Sequence, residues 1–265
     1  MKRFILPDHP NTEGMIRLYE KDYHYLVRVR RLKSGMCFDA ILPEGKETCI
    51  RIISTVDNIL IGECLDFKEQ VPPAQSLAAS LPPIALMQGC PRGNKMDTII
   101  RQAAEGGVSY VLPFEAEYST AKLIDNGKIK RWERIVKEAR QQSGSAIQTK
   151  ILPHFSFDTL LEYWDSIKKK YKNPIGLLLH QEPLEKGTFH GYLSKCPDFV
   201  VLAVGPEGGF SPREISLFLA AEFKPLLMGS TILRTDTAAL YGTAAIRIIL
   251  LESKAWTPVP TESCS

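Results

Sequence analysis

The chain has 265 residues, 44% of them apolar and 24% charged, which describes a globular protein with a real core rather than a disordered or fibrous one. A net charge of +3 is too small to name a partner, and the length favours two domains. Ile246 to Leu251 is far too short an apolar run to span a bilayer, and the start at Met1 loses its apolar stretch at Pro7 to Pro10. No membrane span and no export signal are therefore expected.

Cysteines stand at 37, 49, 64, 90, 196 and 264 with no C-x-x-C pair, so neither a zinc site nor a disulfide framework is expected. Incidental thiols in a reducing cytoplasm are the reading that remains, with no metal.

In chain order, residues 1 to about 70 read as short strands and turns. Asp22 to Leu32 is a short helix ending in the basic run Arg28, Arg30, Arg31 and Lys33, a pattern suited to phosphate backbones. Cys37 to Leu42, Thr48 to Val56 and Ile59 to Cys64 are strands, the last two joined through Asp57-Asn58. Close spacing of such strands predicts a small β-barrel. Residues 71–82, with Pro72-Pro73, read as a linker.

After the linker the rhythm becomes that of an α/β domain over 83–255 with a mainly parallel sheet. Strands are expected at Ile84 to Gln88, Ser109 to Leu112 (ended by Pro113), Ile175 to Leu179, Phe199 to Val204 and Leu226 to Met228. Met96 to Ala104 is helical, and Trp132, Ile135, Val136 and Ala139 form the apolar stripe of another helix. Lys168 to Lys170, with Lys172, is a second basic cluster that suits a phosphate backbone or, equally well, a solvated helix face. The final helix, Asp236 to Glu252, is apolar nearly all round and needs cover on several sides, as a subunit interface would give. The tail 256–265 is expected to be disordered.

Two strand ends carry the chemistry. Phe199 to Val204 runs into Gly205-Pro206-Glu207-Gly208-Gly209, and Ser211 with Glu214 then forms a capping box with Pro212 at the first helical position. Glycine allows positive φ and a close ligand approach. Ligands of open α/β sheets settle at such carboxyl ends. The loop is neither G-x-G-x-x-G nor a Walker loop, so its ligand stays open, as does a plain turn with no ligand. The second segment is Met228-Gly229-Ser230-Thr231-Ile232-Leu233-Arg234-Thr235-Asp236, where Thr235 or Asp236 would cap the next helix. Arg234 and Asp236, set between a buried strand and a buried helix, either pair with each other or face a polar site. Leu179-His180 is a third wall, His180 being equally readable as an ordinary strand-end histidine.

These segments, in this order, resemble the SPOUT superfamily and within it the 16S ribosomal RNA uridine-N3 methyltransferases of the RsmE type. The resemblance runs from Met1–Phe4 and the segment His24-Tyr25-Leu26-Val27-Arg28-Val29-Arg30-Arg31-Leu32-Lys33-Ser34-Gly35 to Lys95-Met96-Asp97, Arg131-Trp132, Gln142-Ser143-Gly144, Gly205–Gly209 and Ile232-Leu233-Arg234-Thr235 with Thr237-Ala238. It implies an N-terminal PUA-like barrel and a C-terminal α/β domain with a deep trefoil knot. It further implies a homodimer and S-adenosylmethionine held by Leu179, His180, Gly205, Pro206, Glu207, Gly208, Gly209, Met228, Gly229, Ile232, Leu233, Arg234 and Thr235. Arg234 and Asp236 would then serve catalysis, and Arg3, Arg28, Arg30, Arg31, Lys33, Arg92 and Lys95 would meet 16S ribosomal RNA. The chain departs from the family where Tyr118, Ser145 and Thr231 replace arginines and Asp236 replaces a glutamate. Lost guanidiniums bear on the RNA target, so a different RNA or atom stays open beside a non-catalytic RNA-binding or ribosome-assembly role.

Overall fold

The computed structural model describes residues 4–65, 81–119, 126–182 and 187–255. Arg3, linker residues 71–80 and the tail 256–265 lie outside them. The chain divides into two compact units, residues 1–79 with 140–148, and residues 80–139 with 149–265.

The first unit is a curled mixed sheet. Its strands are β1 (Phe4–Ile5), β2 (Met15–Leu18), β3 (Cys37–Ile41), β4 (Glu47–Val56) and β5 (Ile59–Cys64), in the order β1-β3-β4-β5-β2. β1 joins β3 in parallel and the other pairs are antiparallel. Along β4 the side chains of Thr48, Ile50 and Ile52 turn inward in strict alternation, as a half-buried strand requires. Phe4, Leu18, Phe38, Ile50 and Leu60 meet in the core on that face. Asp57 and Asn58 both adopt positive φ (54° and 58°), the tight hairpin conformation that these residue types tolerate. The expected helix over Asp22 to Leu32 divides into one α-turn, α1 (Glu20–Tyr23), and a π-helical stretch, His24–Val29. Wider winding buries Leu26 while leaving Arg28 at the surface.

The second unit is a six-stranded parallel sheet between two helical layers. Its strands are β6 (Ile84–Gly89), β7 (Tyr110–Phe114), β8 (Lys150–Ile151), β9 (Pro174–Leu179), β10 (Phe199–Val204) and β11 (Lys224–Leu226), in the order β11-β9-β10-β6-β7-β8. Both faces are buried, which is why β6 and β10 read as unbroken apolar runs rather than alternating ones. On one face Ile84, Leu86, Val200 and Leu202 pack against α2 (Lys95–Glu105), α3 (Asn126–Ser143) and α7 (Thr235–Ala255). On the other, Met87, Phe199 and Val201 meet α4 (Phe157–Lys170) and α6 (Pro212–Ala220), while α5 (Phe189–Leu193) packs on the first face through Leu193.

Asp97 explains two of the sequence motifs at once. Its Oδ1 accepts from the Trp132 indole (3.0 Å) and its Oδ2 pairs with Arg131, so Lys95-Met96-Asp97 and Arg131-Trp132 are two halves of one clasp between α2 and α3. Of the lysines ending α4, Lys168 pairs with Asp165 (3.0 Å) and Glu222 (3.5 Å) near the negative end of the helix.

Most strand boundaries shift by a residue or two from expectation, and two of the shifts have a structural consequence. Pro113 does not end β7, which continues to Phe114 in register with β6. The Pro113 carbonyl accepts from Phe155 N–H on the outer side, so the missing N–H falls on that sparsely paired edge and costs no bond to β6. β11 stops at Leu226, which frees Met228 to stand in the loop beyond it.

Gly176 of β9 lies against the buried ring of Phe223, where a Cβ would sit 2.9 Å from Cδ1. Gly176→Ala should destabilise the second unit by about 1–3 kcal/mol, the usual range for overpacking. Urea unfolding monitored by tryptophan fluorescence measures this; an unchanged midpoint would show that the Phe223 ring yields freely.

Candidate functional site

Parallel strands deliver their carboxyl ends to one edge of a sheet, and connections leaving that edge leave crevices between them. At the ends of β9, β10 and β11 such a crevice forms a cleft of about 300 Å3. Its walls bring together Leu179 and His180 after β9, Gly205 to Phe210 after β10, and Leu227 to Gly229 with Thr231 to Thr235 after β11. Every residue assigned from sequence to the S-adenosylmethionine pocket lies in this lining. Gln181, Val204, Phe210, Leu227, Thr231 and Ala238 complete it. Asp236 is not part of the lining.

The glycine loop is fixed at both ends. At its start, Gln88 is fully buried; its amide nitrogen donates to the Thr235 hydroxyl (2.9 Å), which donates to the Gly205 carbonyl (2.6 Å). The same nitrogen donates to the Gly89 carbonyl (2.9 Å), so its orientation is set by two acceptors. At its end the capping box is present in full: Ser211 N–H donates to Glu214 Oε2 (2.8 Å) and Glu214 N–H to the Ser211 hydroxyl (3.2 Å). Between these anchors Pro206 lies against Gly89, where a Cβ would come within 2.6 Å of its Cδ.

Of the three loop glycines only Gly209 uses positive φ (70°); Gly205 and Gly208 serve close approach instead. A Cβ at Gly205 would meet the Gly209 carbonyl carbon at 3.0 Å, and one at Gly208 would meet Tyr118 Cβ at 2.9 Å. At Gly209 and at Gly229 (φ 125°) nothing stands within 4 Å of where a Cβ would be. Backbone therefore faces open space on two sides of the cleft, a cradle that side chains would fill.

Electrostatics set two groups of cations apart. Glu207 accepts from Lys95 Nζ (2.6 Å) and from Arg92 N–H (3.2 Å to each oxygen), tying the start of α2 to the glycine loop. Burial pulls the Glu207 carboxyl upward, but the Lys95 ammonium and the backbone N–H groups of Glu207 and Arg92 outweigh it and hold the carboxyl below its ordinary range. Arg234, in contrast, is exposed at the cleft and enters no ion pair among the described residues; no bond joins it to Asp236. Its carbonyl accepts from Ala238 N–H (2.8 Å), which makes Arg234 the N-cap of α7. Thr235 does not cap the helix because its hydroxyl is spent on Gly205. Asp236 Oδ1 is buried without a hydrogen bond. His180 Nδ1 accepts from Glu182 N–H (3.1 Å), a strand-end turn within the cleft wall.

The basic residues named from sequence fall in both units. Arg28, Arg31 and Lys33 are exposed and Arg30 half-buried in the first unit, beside exposed Val29 and Met36. Arg92 and Lys95 belong to the second. Among the described residues no helix is long and apolar enough to cross a membrane, and no His, Cys, Asp and Glu side chains cluster to hold a metal. Gln88 and Gly89 were not marked by any local pattern as site-building residues; a polar side chain ending an otherwise apolar strand was the available signal for Gln88.

Because the Glu207 carboxyl lies lower in the folded chain than in the unfolded one, its contacts stabilise the loop above the carboxylate range. That contribution is lost as pH falls through the folded value. Lys95→Met should move the Glu207 midpoint upward in a carboxyl-carbon NMR titration. A midpoint that stays put would assign the depression to the backbone donors alone.

Comparison with known proteins follows this geometry. A family model described as an RNA methyltransferase domain matches residues 79–247. A ribosomal RNA small subunit methyltransferase E of Synechocystis is 31% identical over 251 residues, covering 94% of this chain and 78% of the relative. A second enzyme so named, from Borreliella burgdorferi, is 28% identical and covers 94% and 98%. Among solved structures, the Neisseria gonorrhoeae ribosomal RNA small subunit methyltransferase E bound to S-adenosyl methionine superposes with a TM-score of 0.71, at 24% identity over 94% of this chain and 98% of that one, and so shares the fold. With its cleft built by the 205–209 and 228–235 loops of the matched region, the chain belongs to the RNA methyltransferase domain family and, within it, to the ribosomal RNA small subunit methyltransferases E.

Proposed function

We propose that the chain transfers the methyl group of S-adenosylmethionine to N3 of a uridine in 16S ribosomal RNA of the small subunit, in the cytoplasm. The observation that carries this reading is the cleft at the ends of β9, β10 and β11, formed by the loops that carry the family's motifs. We take these loops to lie in a deep trefoil knot. Residues 1–70 are taken as a PUA-like RNA-binding barrel, 71–82 as a linker and 83–255 as the methyltransferase domain.

The cleft suits this donor. Apolar Leu179, Phe210, Ile232 and Leu233 offer surface to a purine, and the open backbone at Gly209 and Gly229 offers amide groups to its polar edges. S-adenosylmethionine supplies an electrophilic methyl group. The chain's task is to present uracil N3 without its proton, since the imide nitrogen is a poor nucleophile while protonated. Arg234 is placed to hold the base as negative charge develops on it: its guanidinium is exposed at the cleft and sits at the N-terminus of α7, where the helix dipole adds to its field. Asp236, the second residue of α7, lies behind the lining, so the N3 proton is proposed to reach its unbonded Oδ1 through one water. Arg3, Arg28, Arg30, Arg31 and Lys33 of the first unit, with Arg92 and Lys95 of the second, guide the RNA backbone.

The departures at Tyr118, Ser145 and Thr231 favour one further reading, methylation of a different RNA or atom. Nucleoside mass spectrometry decides between them. Small ribosomal subunits from cells lacking the gene should gain 3-methyluridine on incubation with the wild-type chain and S-adenosylmethionine. Arg234→Ala should reduce the product by at least roughly a hundredfold, as loss of an electrostatic stabiliser does, while calorimetric donor affinity holds. A methylated nucleoside other than 3-methyluridine would refute the target; normal turnover in Arg234→Ala would remove that residue from the mechanism.

A homodimer is proposed from α7. Leu240, Tyr241, Ala244 and Ile248 are exposed along it, so an apolar stripe remains after the monomer has packed. Sedimentation equilibrium should give twice the chain mass, and Ile248→Glu should shift it toward the monomer. A monomeric wild type would refute the dimer.

A further inference from the structure

Tyr118 is a large aromatic side chain that folding leaves 47% exposed. It stands just beyond β7, on the same sheet edge as the cleft, and its Cβ and Cγ lie against Gly208 (2.9 and 3.4 Å from a Cβ built there). Gly208 itself lines the cleft, so one thin loop has the cleft on one side and Tyr118 packed on it.

The turn that carries Tyr118 is held from three directions. Ser119 N–H donates to the Ala116 carbonyl (2.9 Å), Ala116 N–H to the Ser119 hydroxyl (3.1 Å), and Glu117 N–H to Glu214 Oε1 (2.9 Å). Glu214 is 2% exposed and spends its other oxygen on Ser211 N–H, the anchor of the glycine loop. A single buried carboxylate therefore fixes both the loop and the turn beside it. An exposed ring fixed in this way loses little freedom when a partner covers it.

We propose that Tyr118 is a stacking platform for an unpaired base of the RNA substrate next to the donor cleft. The proposal rests on the reading of the chain as an RNA methyltransferase. A base brought to a cleft of this kind leaves its own stack, and an aromatic face restores part of what is lost. The segment Glu115-Ala116-Glu117-Tyr118-Ser119 carries no cation, so its means of holding RNA is the ring face and not a phosphate contact.

The test compares wild type, Tyr118→Phe and Tyr118→Ala on small ribosomal subunits from cells lacking the gene. It reads methyl transfer, filter binding of 16S ribosomal RNA, and calorimetric affinity for S-adenosylmethionine. Tyr118→Ala should raise KM and Kd for RNA about tenfold, the order expected for one lost base stack, while Tyr118→Phe stays near wild type and donor affinity is unchanged in both. Unchanged RNA affinity in the alanine variant would overturn the proposal. So would equal loss in both variants, which would mean a role for the hydroxyl, or a parallel loss of donor affinity, which would mean a purely structural role toward Gly208. A wild-type chain that binds RNA without methylating it would refute the proposed function, while the alanine-to-phenylalanine contrast in binding would still decide this inference. A chain that binds no RNA would overturn both.

Discussion

Three segments distant in sequence share one buried chain of hydrogen bonds, from Gln88 at the end of β6 through the Thr235 hydroxyl to the Gly205 carbonyl. All three residues are buried, so a missing link would leave a polar group without a partner at a cost of about 1–3 kcal/mol. The width of the cleft depends on this relay. Gly205 opens one wall and Thr235 closes the other, and neither loop has a secondary-structure ladder of its own to fix its distance from its opposite. Glu214 performs the same service at the far end of the glycine loop, where helix capping and attachment of the neighbouring turn draw on the two oxygens of one carboxylate.

Much of this architecture was legible wherever a local rule is sufficient. β10 and its capping box follow from an apolar run and a Ser-Pro-x-Glu pattern, and the structure has them at Phe199–Val204 and Ser211–Glu214. The Asp57-Asn58 hairpin follows from two residues that tolerate positive φ. What escaped depends on which neighbour a group meets. Pro113 reads as a strand end because its missing N–H is costly in a central ladder, yet its outer side has little ladder to lose. Thr235 reads as a cap because threonine accepts well from helix N–H groups, yet a carbonyl from the loop thirty residues earlier claims its hydroxyl. Arg234 and Asp236 read from sequence as either a pair or groups facing a polar site; Arg234 is exposed at the cleft, and Asp236 has a buried, unbonded oxygen.

The glycine loop illustrates the same division. Three glycines in five residues suggest backbone freedom, and only Gly209 uses it. For Gly205 and Gly208 the constraint is room: backbone against backbone in one case, backbone against Tyr118 in the other. At Gly208 that room cannot be inferred from the loop, because Tyr118 comes from a different strand connection.

Charge placement then shapes how the proposed reaction would be assisted. Lys95 sits close enough to the glycine loop to reach an anion there, but Glu207 already neutralises it and is neutralised in return. That pair contributes loop geometry and little net field. Among the described residues, Arg234 is left as the charged side chain of the cleft lining with no carboxylate partner. A cation with no partner gains most when charge appears beside it, and a uracil losing its N3 proton creates that charge only as the reaction proceeds. Arg234 would therefore hold a neutral uracil weakly and its anion strongly, which lowers the barrier without deepening the ground state. Had Arg234 been paired with Asp236, much of that difference would have been cancelled before the substrate arrived.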